Sequence, residues 1–149
     1  MNIAIVGATG NVGRKMLEVL EQKKILIDQL FLVASSRSTG HKINFNGKEH
    51  EVCNLETYDF SKAEITFFAA GGKISEKYAE KAAKHTTIID NSSFFRMDQD
   101  VPLIVPQVNP EAINILKKNI IANPNCSTAQ LVIALKPLHD EFNIKRVVI

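Results

Sequence analysis

Seven residues near the start, Gly7-Ala8-Thr9-Gly10-Asn11-Val12-Gly13, stand between an apolar, β-branched run at Asn2–Val6 and a helical pattern at Val12–Lys23. That pattern sets Met16, Leu17, Val19 and Leu20 on one stripe. A strand that enters a glycine turn and leaves as a helix is the opening of a βαβ unit, which confines the chain to a small set of parallel-sheet folds. Glycine lets the backbone reverse sharply and lets amides approach a pyrophosphate, while the helix start offers unpaired N–H groups and a positive partial charge. The spacing, G-x-x-G-x-x-G, is a variant of the commoner G-x-G-x-x-G, and its place between strand and helix lifts it above a chance glycine triplet. Dinucleotide binding around Gly7, Gly10 and Gly13 is the expectation; a plain turn without a ligand is the alternative.

The rest of the chain keeps the alternation. Gln29–Ala34, Ile65–Ala70, Thr86–Asp90 and Ile120–Ala122 read as strands, Leu103–Val105 as a short one, and Arg146–Ile149 as the opening of a last one. Ile74–Lys84 is helical, with Ile74, Tyr78 and Ala82 at every fourth position, and Ser127–Asp140 is a helix that Pro137 should kink. Asn46-Gly47 between Lys42–Phe45 and Lys48–Val52 is a strong hairpin signal. Asn109-Pro110-Glu111 reads as a helix start, with Asn at the N-cap and Pro at the first helical position. The expected architecture is α/β: a Rossmann-like parallel sheet with helices on both faces and a small β-ribbon.

Composition narrows the function. The net charge is +2, and Lys and Glu alternate along the chain instead of gathering into the basic face that nucleic-acid binders show, so a nucleic-acid partner is not expected. No apolar run approaches the roughly 20 residues that span a bilayer, and the first residues lack the basic segment of a signal peptide. Two cysteines, Cys53 and Cys126, make no disulfide scaffold, so a reducing, cytoplasmic setting is expected. The terminal Arg-Val-Val-Ile reads as a strand cut short, from which a fragment of a longer protein is expected.

Three further segments carry chemistry. After the second strand, where NAD sites place an Asp or Glu about 20 residues past the glycines, the chain reads Ala34-Ser35-Ser36-Arg37-Ser38-Thr39-Gly40. An arginine fork among hydroxyls suits a 2′-phosphate, so NADP(H) is expected over NAD, against the alternative of a solvated polar turn. Asn123-Pro124-Asn125-Cys126-Ser127-Thr128 sets a thiol at a helix start, where the dipole and free amides favour thiolate and stabilise an oxyanion on the atom it attacks. Spacing alone leaves Cys126 equally readable as a cap neighbour, whereas Cys53, with no helix start beside it, reads as a packing residue. Asp90-Asn91-Ser92-Ser93-Phe94-Phe95-Arg96 leaves another strand end, and Arg96 is a candidate anion anchor or the partner of a surface ion pair with Asp98 or Asp100. None of His41, His50, His85 and His139 has the setting of a general base, and no His/Cys cluster has metal-ligand spacing, so no metal is expected.

Taken together these segments, with Phe95-Arg96-Met97, Asp100-Val101-Pro102-Leu103 and Val105-Pro106-Gln107-Val108-Asn109, resemble the N-terminal half of the aspartate-β-semialdehyde dehydrogenases along the whole chain. The resemblance implies that Thr9, Gly10, Asn11 and Val12 wrap the pyrophosphate of NADP(H), with Ser35, Arg37 and Ser38 about its 2′-phosphate. It implies Arg96 on the phosphate of an acyl-phosphate substrate, Cys126 as the acyl-thioester nucleophile and Asn125 orienting substrate. The implied reaction is the reversible reductive dephosphorylation of L-aspartyl phosphate to the semialdehyde, in lysine, methionine, threonine and diaminopimelate biosynthesis, by a cytoplasmic homodimer.

By the same resemblance residues 1–130 are the NADP-binding domain bearing the cysteine, and 131–149 begin a substrate-binding and dimerisation domain. The family's general-base histidine, substrate-positioning glutamine and further basic residues belong to a later segment, as does the C-terminal return that completes the cofactor domain, so these 149 residues alone are expected to be inactive. Two rivals remain: an N-acetyl-γ-glutamyl-phosphate reductase-like enzyme, whose cysteine sits in a Pro-Gly-Cys-Tyr-type context unlike Pro124-Asn125-Cys126-Ser127, and a non-catalytic NADP-binding module.

Overall fold

The computed structural model describes residues 1–149. Seven strands form one sheet: β1 (Asn2–Val6), β2 (Gln29–Ala34), β3 (Lys42–Phe45), β4 (Lys48–Asn54), β5 (Ile65–Phe68), β6 (Thr87–Asp90) and β7 (Ile120–Ala122). Their order across the sheet is β3-β4-β2-β1-β5-β6-β7, and every pairing is parallel except the β3–β4 hairpin. Three helices, α1 (Asn11–Gln22), α2 (Gly72–Ala82) and α3 (Cys126–Phe142), follow β1, β5 and β7. This is the Rossmann-like arrangement expected. β1 lies between β2 and β5, so the sheet reverses its winding there, and the crevice at the carboxyl ends of those strands is where such folds bind ligands.

The strands alternate because both faces are covered. Ile3 and Ile5 of β1, Leu32 of β2 and Val52 of β4 are buried beneath α1 with Leu17. Val6, Val33, Phe68, Ile88 and Ile120 are buried on the opposite face against Ala79 and Ala82 of α2. Each such aliphatic side chain contributes roughly 1.5–3 kcal/mol by leaving water. Thr66 and Thr86 are the polar exceptions, and their hydroxyls satisfy one another at 3.1 Å.

The β-ribbon itself is as expected, and its β4 also pairs in parallel with β2, which makes the hairpin the edge of the main sheet. Its turn, Asn46-Gly47, has φ of 50° and 76°, the doubly positive geometry a two-residue hairpin demands. Several local expectations need correction. Val19 of the α1 stripe is exposed, since only Leu17 of that helix reaches the sheet fully. Leu103–Val105 makes a single bridge, Leu103 to Ala122, and no strand. Asn109 stands at the expected start, with Pro110 as the first helical residue, but its side chain caps no helix amide: it accepts from the Val105 N–H and donates to the Leu103 carbonyl, both at 2.9 Å. The segment after it, Pro110–Ile115, is a 3₁₀ turn whose Ile113 and Ile115 are exposed; a helix without a buried face gains little from forming. Arg146–Ile149 is not a strand, because no neighbour offers it a ladder and β-propensity alone does not make one.

Candidate active site

β1, β2, β5, β6 and β7 run in parallel, so the loops leaving their carboxyl ends share one edge of the sheet. The glycine turn is the first. Gly7 has φ +86°, and a Cβ there would lie 2.9 Å from the Ala69 backbone; one on Gly13 would lie 2.3 Å from the Gly7 carbonyl oxygen. Only bare backbone lets α1 start so close to β1. No side chain caps α1 at Gly10, so its first-turn amides are spent on no neighbour. Beside the turn opens a cleft of about 370 Å³ lined by Gly7, Thr9, Gly10, Ser35, Ala69 and Ile74, among others. No acidic side chain lines it.

Ser35 and Arg37 stand exposed just past β2, and Ser38 accepts a long hydrogen bond, 3.4 Å, from the Thr9 hydroxyl, which ties the Ser36–Ser38 turn to the glycine loop. Arg37 has no carboxylate partner. Uncapped amides and a turn closed to any Cβ fit the pyrophosphate of a dinucleotide, and the arginine beyond the second strand is left without a carboxylate.

At the other end of the edge, β6 and β7 pair Asp90 with Ala122, so their exit loops run side by side. Asp90 is fully buried: Oδ1 accepts from the Ser75 hydroxyl at 2.7 Å and the Ser92 N–H at 3.1 Å, and Oδ2 accepts from the Ser92 hydroxyl at 2.7 Å. Ser92 Oγ in turn accepts from the Phe94 N–H at 3.1 Å. The Asp90 carbonyl accepts from the Asn123 N–H at 3.1 Å, and the Asn123 side-chain amide donates to Asn91 Oδ1. Asn123 Oδ1 is buried without a partner.

Arg96, half-buried, donates from Nε to the Asn123 carbonyl at 3.0 Å and from Nη2 to the Asn91 carbonyl at 3.4 Å. Neither carboxylate near it in sequence is its partner. Asp98 is held by Lys118 at 2.8 Å and Asp100 by Lys117 at 2.7 Å. The hydrogen bond from Lys118 holds the Asp98 carboxyl below its ordinary range, and Asp98 in turn raises the Lys118 ammonium. The surface ion-pair reading of Arg96 is thereby excluded, and its guanidinium keeps three of its five N–H donors unspent.

Cys126 is the first residue of α3 and is exposed. Asn125 caps the helix: its Oδ1 accepts from the Ser127 N–H at 3.0 Å and the Ser127 hydroxyl at 2.8 Å, with Cys126 Sγ at 3.5 Å. Cys53 is half-buried against the α2-side core, where its reading as a packing residue places it. Sequence reading passed over Ala69, Ala70, Ile74 and Leu55, which wall the cleft, and the Gly71-Gly72 start of α2 close to Ser93. The Gly-Gly pair just past a strand end was the available signal.

Residues 2–116 match the family described as "Semialdehyde dehydrogenase, NAD binding domain". The chain belongs to that family. It is 51 % identical over 148 residues to an aspartate-semialdehyde dehydrogenase of Shewanella violacea and 53 % identical to aspartate-semialdehyde dehydrogenase 2 of Vibrio cholerae, in each case over 98 % of this chain and 44 % of the relative. The solved Vibrio cholerae aspartate semialdehyde dehydrogenase II superposes with a TM-score of 0.94 at 53 % identity, over 97 % of this chain and 44 % of that one. A Candida albicans aspartate semialdehyde dehydrogenase solved with NADP gives 0.77 at 28 % identity, over 96 % and 48 %. The chain therefore spans less than half the length of these relatives, and what it contributes to the family's architecture is its nicotinamide-dinucleotide-binding part. No helix is long and apolar enough to cross a membrane.

Proposed function

We propose that this chain is the cofactor-binding and nucleophile-bearing part of an NADP-dependent aspartate-semialdehyde dehydrogenase. Residues 1–130 are read as the nucleotide domain and 131–149 as the start of a substrate-binding and dimerisation domain of a cytoplasmic homodimer. The observation that carries the reading is Cys126, exposed on the first turn of α3, on the same sheet edge as the unspent donors of Arg96 and the glycine cleft. Thr9, Gly10, Asn11, Val12 and Gly13 would receive the pyrophosphate, and Ser35, Arg37 and Ser38 the 2′-phosphate; the absence of any acidic group in the cleft favours NADP over NAD. When bound, the nicotinamide supplies or accepts a hydride.

The chemistry of the chain's own residues follows. The Cys126 thiolate attacks the carbonyl carbon of L-aspartyl phosphate, the α3 amides steady the oxyanion, and the bond to the phosphate oxygen breaks with phosphate leaving toward Arg96. The thioester so formed is reduced to the hemithioacetal, which collapses to the aldehyde and returns the thiolate. Asn125, whose Oδ1 holds the Ser127 amide and accepts from the Cys126 thiol before it ionises, fixes the first turn from which the sulfur attacks. The 149 residues alone are expected to hold cofactor without sustaining turnover, since less than half of the relatives' length is present.

The test uses the full-length protein with NADP⁺, phosphate and L-aspartate semialdehyde, following NADPH absorbance. Phosphate-dependent reduction is expected, falling by ~10³-fold or more in Cys126→Ser with NADP⁺ affinity unchanged. NADPH binding with no phosphate-dependent turnover would instead establish a non-catalytic module, and preference for N-acetyl-γ-glutamyl semialdehyde the rival reductase.

A further inference from the structure

The geometry points to Asp90 as the positioning residue for the anion-binding arm of the site. The inference rests on the function proposed above, because it assigns the origin of Arg96's orientation in that reaction. A guanidinium on a loop samples many directions, and its affinity for phosphate depends on how much of that freedom is already removed. Here two backbone carbonyls remove it, those of Asn91 and Asn123. Both belong to segments that hang from Asp90. Asn91 is its neighbour in sequence, and Asn123 is bound through its N–H to the Asp90 carbonyl. The carboxylate, wholly buried, fixes the start of the loop through both the amide and the hydroxyl of Ser92, and the Ser92 hydroxyl takes up the Phe94 N–H two residues before Arg96. Ser75, donating to the same carboxylate, ties this arrangement to α2, whose Ile74 walls the cofactor cleft.

Asp90 therefore touches no substrate. It acts through Arg96, and it does so from the strand whose neighbour leads, three residues past Asn123, into Cys126. That separation is at most ~10 Å of chain, close enough for Arg96 to set the local anion concentration at the sulfur. Asp90→Asn preserves volume but turns one acceptor oxygen into a donor. With its oxygen in the place of Oδ1 the amide keeps the bonds from Ser75 and the Ser92 N–H, but its NH2 obliges the Ser92 hydroxyl to accept from it as well as from the Phe94 N–H, and the charge that strengthens all of these bonds is gone.

The experiment is steady-state kinetics of the full-length protein in the direction of semialdehyde oxidation, with phosphate and NADP⁺ varied separately. Asp90→Asn is expected to raise KM for phosphate about tenfold or more, with kcat changed less than about threefold and KM for NADP⁺ within about twofold. Ser75→Ala, which keeps both bonds to Ser92, is expected to move the phosphate KM in the same direction by about threefold and serves where the Asn variant does not fold. A phosphate KM unchanged in both variants overturns the proposal, and so does a parallel fall of kcat, cofactor affinity and melting temperature, which would mark a purely structural carboxylate.

A second readout needs no turnover. In the wild type, Cys126 mapped by mass spectrometry should react with iodoacetate faster relative to iodoacetamide than in Arg96→Ala; Asp90→Asn should lower the ratio toward that of Arg96→Ala, and an unaltered ratio overturns the assignment. If wild-type protein shows no phosphate-dependent turnover, the proposed reaction fails while this ratio still decides the role of Asp90.

Discussion

Two strand-to-helix turns at the same sheet edge begin a helix in opposite ways. The turn into α1 carries no side-chain cap, is stripped of side chains at Gly7 and Gly13, and is pinned by Leu17 beneath the sheet. The turn into α3 is capped by Asn125, presents a thiol as its first helical residue, and leads into a helix with no buried side chain. Orphan amides cost stability unless something answers them. In the first turn no side chain answers them and the motif is all backbone; in the second Asn125 answers the Ser127 N–H, and the thiol of Cys126 stands exposed beside it. Under the function proposed above, the first turn binds and the second reacts.

Substitutions that interchange these designs should break the contrast in order of size. Gly13→Ala is expected to cost about 3 kcal/mol, at the upper end of overpacking, since its Cβ would fall 2.3 Å from the Gly7 carbonyl oxygen, and to abolish cofactor binding with it; thermal melts and NADPH fluorescence titration read both. Arg37→Ala should weaken NADP⁺ by about 2 kcal/mol, roughly 30-fold, while leaving NAD⁺ nearly untouched, because an exposed arginine with no carboxylate partner has only a ligand phosphate to lose. Equal losses for both cofactors by calorimetry would remove it from the 2′-phosphate site. Asn125→Ala should cost about 1 kcal/mol of α3 stability, seen in amide exchange at Ser127 and beyond, with no change at α1. Protection lost at α1 as well would mean that the two turns do not stand apart.

Where a residue's role was local, it could be read directly. The glycine turn demands positive φ at Gly7, and the hairpin demands it at Asn46 and Gly47; each requirement is satisfied within a few residues of chain. Where the role depended on a distant partner, the local sequence left alternatives open. Arg96 has Asp98 and Asp100 as its nearest carboxylates in sequence, yet Lys117 and Lys118 take them from across the loop, and carbonyls of Asn91 and Asn123 aim the guanidinium instead. Arg146–Ile149 has every local mark of a strand and no neighbour to pair with.

Residue types and spacing by themselves determined the alternation of strand and helix, the glycine turn and the thiol at a helix start, because periodicity and backbone sterics act over one or two turns of chain. Only the tertiary structure decided that Arg37, the glycine cleft, Arg96 and Cys126 would lie along one edge, and that a buried Asp90 would hold two loops about 30 residues apart in register. Parallel pairing brings every strand's carboxyl end to the same side, and that is a property of the assembled sheet which no segment carries alone.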